Sequence, residues 1–204
     1  MSEKVIAIIL AGGKSSRMGQ DKAMLRVDGA HLLLRVYQVA VACADNVYVV
    51  TPWQERYEDL LPVGCQFIRE ARYEGDDVKQ VETHGPLIGF AQALAEVNVD
   101  PEWVLLLACD LPNLEVEVLQ GWIEGLENSR AEAIAVLAKH EKGWEPLCGF
   151  YRKSCLLGLN KYISEGGRSF QQWLDQNTVD ILPDCSTDMF FNCNTPEDLR
   201  RRLL

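Results

Sequence analysis

Seven consecutive apolar residues, Val5-Ile6-Ala7-Ile8-Ile9-Leu10-Ala11, run without a break into the turn Gly12-Gly13-Lys14-Ser15-Ser16-Arg17-Met18-Gly19-Gln20-Asp21-Lys22. A strand that is apolar on both sides of its pleat must be covered on both faces, as in a parallel sheet layered between helices. The turn that follows is built to hold phosphate. Glycines let backbone N–H groups line a concave nest, and Lys14, Arg17 and Lys22 supply the charge an oligophosphate needs. Arg17 stands where a Walker A loop needs its second glycine, and Lys14 breaks the dinucleotide fingerprint G-x-G-x-x-G, so the loop is neither of these. The same residue types also suit a solvated turn after an edge strand.

The remainder of the chain bounds what such a loop can serve. With 204 residues, one α/β domain is the simplest organisation, long enough to bury roughly 70% of the unfolded chain's surface. Hydrophobic residues at 48% and charged residues at 25% exclude a disordered or fibrous chain. The formal net charge of -10 argues against duplex DNA or an anionic membrane as the main partner. A small anionic substrate then requires clustered cations and a bound metal ion, and three of the 20 basic residues fall within nine positions of the loop. The seven cysteines form no C-x-x-C pair, which speaks against a zinc ribbon or thioredoxin-like site and fits a reducing cytoplasm. Neither a secretory leader nor an apolar run long enough to span a bilayer is visible.

Strand-like and helix-like stretches alternate along the chain, which predicts a Rossmann-like, mostly parallel sheet with helices on both faces. Helical spacing over His31–Cys43 leads to a strand at Val47–Val50, and a short strand follows at Cys65–Ile68. Residues 69–84 carry Glu70, Glu74, Asp76, Asp77 and Glu82 and read as a long surface loop. Gly85-Pro86 opens a helix, and Trp103–Cys109 is a continuously apolar strand ending at Asp110-Leu111-Pro112. Further helices are expected at Val116–Leu126, Ser154–Ile163 and Ser169–Gln176, with strands at Ala131–Ala138 and Cys148–Arg152. Thr195-Pro196-Glu197-Asp198 has the cap, proline and acids of a final helix start.

Asp110 sits at the carboxyl end of a central strand, the edge where ligands bind in open α/β sheets, and one or two carboxylates with phosphate oxygens suffice for Mg²⁺. A helix N-cap is the plain alternative. Asn192 and Asn194 flank Cys193, so strand alternation would turn both amides to one side, whereas local turn hydrogen bonds would explain them equally well.

Leu10-Ala11-Gly12-Gly13-x-Ser15-x-Arg17-Met18-Gly19-x-Asp21-Lys22, Gly85-Pro86-Leu87-Ile88-Gly89, Cys109-Asp110-Leu111-Pro112 and Asn192-Cys193-Asn194-Thr195-Pro196-Glu197-Asp198-Leu199 together resemble the molybdenum cofactor guanylyltransferases, over nearly the whole chain. The resemblance implies a nucleotide-diphospho-sugar transferase type fold and transfer of GMP from GTP to the terminal phosphate of molybdenum-bound molybdopterin, with Mg²⁺, releasing pyrophosphate. It implies that residues up to about 112 bind GTP and the remainder the acceptor. Leu10, Ala11, Gly12 and Gly13 would lie against the nucleotide, Lys22 on the phosphates, Asp110 on nucleotide and Mg²⁺, and Asn192 and Asn194 on the molybdopterin side. Glu70 stands where many relatives carry Asp, and Val50 or Thr51 where some carry Asn; Thr51 and Glu70 are taken as further nucleotide contacts. The resemblance also makes transient contact with molybdenum-insertion enzymes and apo-molybdoenzymes plausible.

Both reactants of such a transfer are anionic, so the protein's task is alignment and charge neutralisation, with Lys22, Arg17 and Asp110 as the catalytic set and no protein nucleophile. Other readings of the same residues are a cytidylyl or sugar-phosphate nucleotidyltransferase and a catalytically inert nucleotide-binding regulator.

Overall fold

The computed structural model describes residues 4–12, 21–70, 85–183 and 187–193. In chain order the elements are β1 (Val5–Leu10), β2 (Arg26–Val27), β3 (Ala30–His31), α1 (Leu32–Cys43), β4 (Val47–Thr51), β5 (Gln66–Arg69), α2 (Pro86–Glu96) and β6 (Trp103–Ala108). They continue with α3 (Val116–Gly125), β7 (Ala135–His140), β8 (Gly143–Arg152), α4 (Leu156–Ser164), α5 (Phe170–Asp175) and β9 (Val179–Ile181), with single 3-10 turns between some of them.

Among the described residues seven strands form one sheet in the order β5-β4-β1-β6-β8-β7-β9, and β2 and β3 make a separate hairpin. In this sheet the pairs β1–β4, β1–β6, β4–β5 and β7–β9 are parallel, and β8 runs against its neighbours β6 and β7. The fold is therefore the mostly parallel α/β sheet that the alternating pattern predicts.

The doubly apolar strands explain the layering. On one face Ala7 and Ile9 of β1 and Leu105 and Leu107 of β6 pack with Leu33 and Val36 of α1 and with Leu119 and Trp122 of α3. On the other, Ile6, Ile8, Val104 and Leu106 meet Phe90 and Leu94 of α2, Leu159 of α4 and Trp173 of α5. Each aliphatic side chain fully buried this way contributes roughly 1.5–3 kcal/mol, so the two cores fix the central strands in place.

Departures from the sequence pattern cluster in the second half. The expected strand over 131–138 starts instead at Ala135, because Ala133 N–H closes a turn on Arg130 O at 3.0 Å. Strand β8 begins at Gly143 rather than Cys148. It is extended by pairing with the end of β7, Trp144 opposite Lys139 and Gly143 opposite His140, while on its other edge the Gln171 amide of α5 accepts from Trp144 N–H at 2.8 Å and donates to Trp144 O at 2.7 Å. The β2–β3 hairpin, β9 and a 3-10 turn at Thr187–Phe190 are too short to leave a periodic signal. The helix expected from Thr195 and the 71–84 part of the acidic segment lie outside the described residues.

Candidate active site

Strand β1 has β4 on one side and β6 on the other, so the chain leaves the sheet centre in opposite directions and the loops after β1 and β6 part. The gap between them is a cleft of ≈ 200 Å³, lined by Leu10, Ala11 and Gly12 from the end of β1 and by Cys109 and Asp110 after β6. Asp21 and Lys22, Pro86 of α2 and Leu147 of β8 complete it. Gly85, with φ of +89°, adopts a backbone that favours glycine and lets α2 begin with Pro86, so the positive end of that helix dipole lies at the cleft.

Backbone bonds hold the loop ends. Ala11 N–H donates to Val50 O at 2.8 Å and Cys109 N–H to Leu10 O at 3.2 Å, which ties the ends of β4, β1 and β6 together. Cys193 N–H donates to Asp110 O at 3.2 Å, bringing the C-terminal segment onto the same edge. Cys193 is fully buried with Val27 and Leu32, so the β2–β3 hairpin and α1 clamp that segment from the other side.

Lys22 opens a 3-10 turn, Lys22–Met24, whose N-cap is Asp21. From there its Nζ reaches Asp110 Oδ2 at 3.0 Å, with the side chains 24% and 14% exposed. The cation read as a phosphate ligand and the carboxylate read as a metal ligand thus neutralise each other. The Cys109 thiol beside them is pushed up above its ordinary value, by burial first and then by the charges of Asp110 and Asp21. It stays protonated at neutral pH and so is not a thiolate nucleophile.

The structure brings Leu10, Ala11, Gly12, Lys22 and Asp110 together in the cleft. Glu70 is buried at the end of β5, where a Cβ built on Gly89 would lie 3.7 Å from its Cδ and 3.9 Å from Leu10 Cδ2, so its carboxyl packs over the start of α2 beside the end of β1. Thr51 is a different case. It is fully buried and its hydroxyl accepts from Trp53 N–H at 3.1 Å, so the side chain organises the turn after β4 instead of lining the cleft. Asn192 adjoins the Cys193–Asp110 bond, and its amide donates to Phe190 O at 3.4 Å. Gly13, Lys14, Arg17 and Asn194 lie outside the described residues.

No group of three or more His, Cys, Asp or Glu that could hold a metal occurs among the described residues. The carboxylates that line the cleft are those of Asp21 and Asp110, and a hard ion such as Mg²⁺ takes one or two carboxylates together with phosphate oxygens and water. Sequence reasoning gave no role to Tyr57, whose hydroxyl donates to Asp21 Oδ2 at 2.7 Å across 36 positions of chain. No local periodicity could have shown that contact.

The model of the MobA-like NTP transferase domain matches residues 7–180. A protein of Nostoc sp. named "Probable molybdenum cofactor guanylyltransferase" is 58% identical over 193 residues, covering 95% of this chain and 87% of its own. One of the same name from Synechococcus elongatus is 43% identical over 94% of each chain. The crystal structure of molybdopterin-guanine dinucleotide biosynthesis protein A from Archaeoglobus fulgidus superposes with a TM-score of 0.73 at 25% identity, over 96% of this chain and 95% of that one. With an NTP-transferase model spanning most of the sheet and relatives matched nearly end to end, the chain belongs to the molybdenum cofactor guanylyltransferase family, within the MobA-like NTP transferase domains.

Proposed function

We propose that this protein transfers GMP from GTP to the terminal phosphate of molybdenum-bound molybdopterin and releases pyrophosphate. The observation that carries the reading is the Lys22–Asp110 pair, 3.0 Å apart in the cleft where β1 and β6 diverge. A cation for the phosphates and a carboxylate for their metal stand side by side, at the sheet edge where nucleotides bind in open α/β folds.

In the reaction an oxygen of the acceptor phosphate forms a bond to the α-phosphorus of GTP, and the bond from that phosphorus to the bridging oxygen breaks, its electron pair leaving with pyrophosphate. The Leu10–Gly12 backbone receives the nucleotide, and Lys22 exchanges Asp110 for the phosphates and offsets charge at the α-phosphorus and leaving group, with Arg17 and the Gly13 N–H as further donors. Asp110 would hold Mg²⁺, which when bound would supply Lewis-acid neutralisation of the phosphate oxygens. Glu70 and Thr51 stand at the ends of the neighbouring strands on the nucleotide side; Thr51 acts through the turn it organises. Asn192, joined to Asp110 through the Cys193 backbone bond, faces the acceptor, with Asn194 following it. Residues to about 112 form the GTP part and the remainder the acceptor part of one domain.

The pairing of two anionic reactants without a protein nucleophile favours transfer in one in-line step. The setting is cytoplasmic, with transient hand-over to molybdenum-insertion enzymes and apo-molybdoenzymes; no described helix is long and apolar enough to cross a membrane. Isothermal titration with GTP, CTP, ATP and UTP, each with and without Mg²⁺, tests the reading before turnover with molybdopterin is assayed. Metal-dependent preference for GTP supports it. Preference for CTP moves the chain to cytidylyl transfer, and nucleotide binding without turnover to an inert regulator.

A further inference from the structure

Lys22 owes its place to a network that starts on another element. Tyr57 follows the 3-10 turn Gln54–Arg56, is 1% exposed, and donates its hydroxyl proton to Asp21 Oδ2 at 2.7 Å. Arg56 Nη1 lies 3.7 Å from the same oxygen. The other oxygen, Oδ1, accepts the N–H of Ala23 at 3.1 Å and so caps the turn that begins with Lys22. Both carboxylate oxygens of Asp21 are therefore engaged, one shaping the turn and one held by Tyr57 and Arg56.

The holding residues are themselves fixed to the sheet. Thr51, the last residue of β4, accepts from Trp53 N–H at 3.1 Å, the Arg56 guanidinium lies over the Trp53 ring at 4.5 Å, and Tyr57 N–H donates to Gln54 O at 2.9 Å. Burial, with the adjoining Asp21 carboxylate, pushes the Tyr57 phenol well above its ordinary value, so it keeps its proton and always donates.

Asp21 lines the same cleft as Lys22 and Asp110. A second carboxylate released into it would compete with Asp110 for Lys22 and for a metal ion, and would repel nucleotide phosphates. We propose that Tyr57, assisted by Arg56, is a positioning residue for the transfer: it clamps Asp21 so that this carboxylate shapes the turn presenting Lys22 to Asp110 instead of acting as a second metal-binding acid. The proposal rests on the reading of Lys22 as a phosphate-binding residue.

The test compares Tyr57→Phe, Asp21→Asn, the double variant and Lys22→Ala in thermal melts, GTP-dependent turnover and titration with Mn²⁺ alone. Tyr57→Phe should melt within a few degrees of the wild type, lose about ten- to hundredfold in kcat with a smaller change in KM for GTP, and bind Mn²⁺ several-fold more tightly, the loss being that of one charge-assisted hydrogen bond. In the Asp21→Asn background the same change should cost no more than about twofold and leave Mn²⁺ affinity unaltered, because the clamped carboxylate is gone. If Tyr57→Phe does not fold, Arg56→Met, at a side chain 50% exposed, should raise Mn²⁺ affinity in the same direction. Wild-type kcat and Mn²⁺ affinity in Tyr57→Phe, or fully additive effects of the Tyr57 and Asp21 changes, overturns the clamp. Wild-type turnover in Lys22→Ala refutes the reading of Lys22 itself, and the Mn²⁺ titration with its coupling then decides the clamp alone.

Discussion

Replacing Asp110 by Asn should have opposite effects on nucleotide binding with and without metal. In the free protein Lys22 Nζ is 3.0 Å from Asp110 Oδ2. Two unit charges at that distance attract by about 5.5 kcal/mol at an effective dielectric of 20 and about 1.4 kcal/mol in water. With side chains 24% and 14% exposed the pair lies between these limits, and the desolvation it suffers leaves a net of about 1 to 2 kcal/mol. Without metal, GTP must break the pair to reach Lys22 and must also approach an unneutralised carboxylate. Asp110→Asn keeps the shape and removes both costs, so metal-free GTP affinity should rise about five- to thirtyfold. Added Mg²⁺ should no longer strengthen binding, and transfer should fall by at least about a thousandfold. Displacement of a fluorescent GTP analogue in EDTA and in Mg²⁺ measures both arms on one sample. Unchanged or weaker metal-free binding in the variant would show that Lys22 is not held in reserve by Asp110, and the exchange of partners proposed for catalysis would fail with it.

Three further outcomes follow from the packing. Gly149→Ala should destabilise by about 1–3 kcal/mol in chemical denaturation, because its Cβ would come within 2.5 Å of Leu137 Cδ2 and 3.0 Å of Val136 O inside the sheet. Gln171→Ala removes both bonds to the Trp144 backbone and should cost about 1–3 kcal/mol while leaving nucleotide affinity within twofold, measured by melting and titration on the same preparation. Glu145 has its proton affinity raised by burial, against a smaller opposing effect of His140, so the folded state holds that proton more tightly than the unfolded chain and stability falls as pH rises through the window above the ordinary carboxylate value. Glu145→Gln should therefore gain stability relative to wild type at pH 7 and show no gain at pH 4, a difference read from melting curves at the two pH values.

The sequence carried the first half of the molecule well. Val5–Leu10, Val47–Thr51 and Trp103–Ala108 are apolar on both sides of the pleat, which can only be satisfied in a sheet covered twice, and their boundaries agree with the pattern to within a residue. Gly85-Pro86 marked the start of α2 for the same local reason, a positive φ followed by a residue suited to the first helical turn. The second half was less legible because its strands depend on partners far away. Strand β8 reaches Gly143 as the partner of β7, with Gln171 of α5 bonding its other edge, and β9 is a strand because β7 offers it an edge.

The site divides in the same way. Glycines, Lys22 and Asp110 were visible as residue types after strand ends, because a phosphate nest and a metal carboxylate need those side chains wherever they are. That Lys22 and Asp110 meet, 88 positions apart, follows from β1 and β6 being neighbours, which no local pattern encodes. The position of Thr51 at a strand end was visible, and the bond its hydroxyl accepts from Trp53 N–H was not. Composition and periodicity determined the layers, the edge of the sheet and the chemistry available there, since these depend on solvation and on the local backbone. Which groups stand within hydrogen-bonding distance of one another, and so Tyr57 behind Asp21 and Cys193 beneath Asp110, was decided only when strand order brought distant segments to one edge, because hydrogen bonds act over a distance that chain spacing does not record.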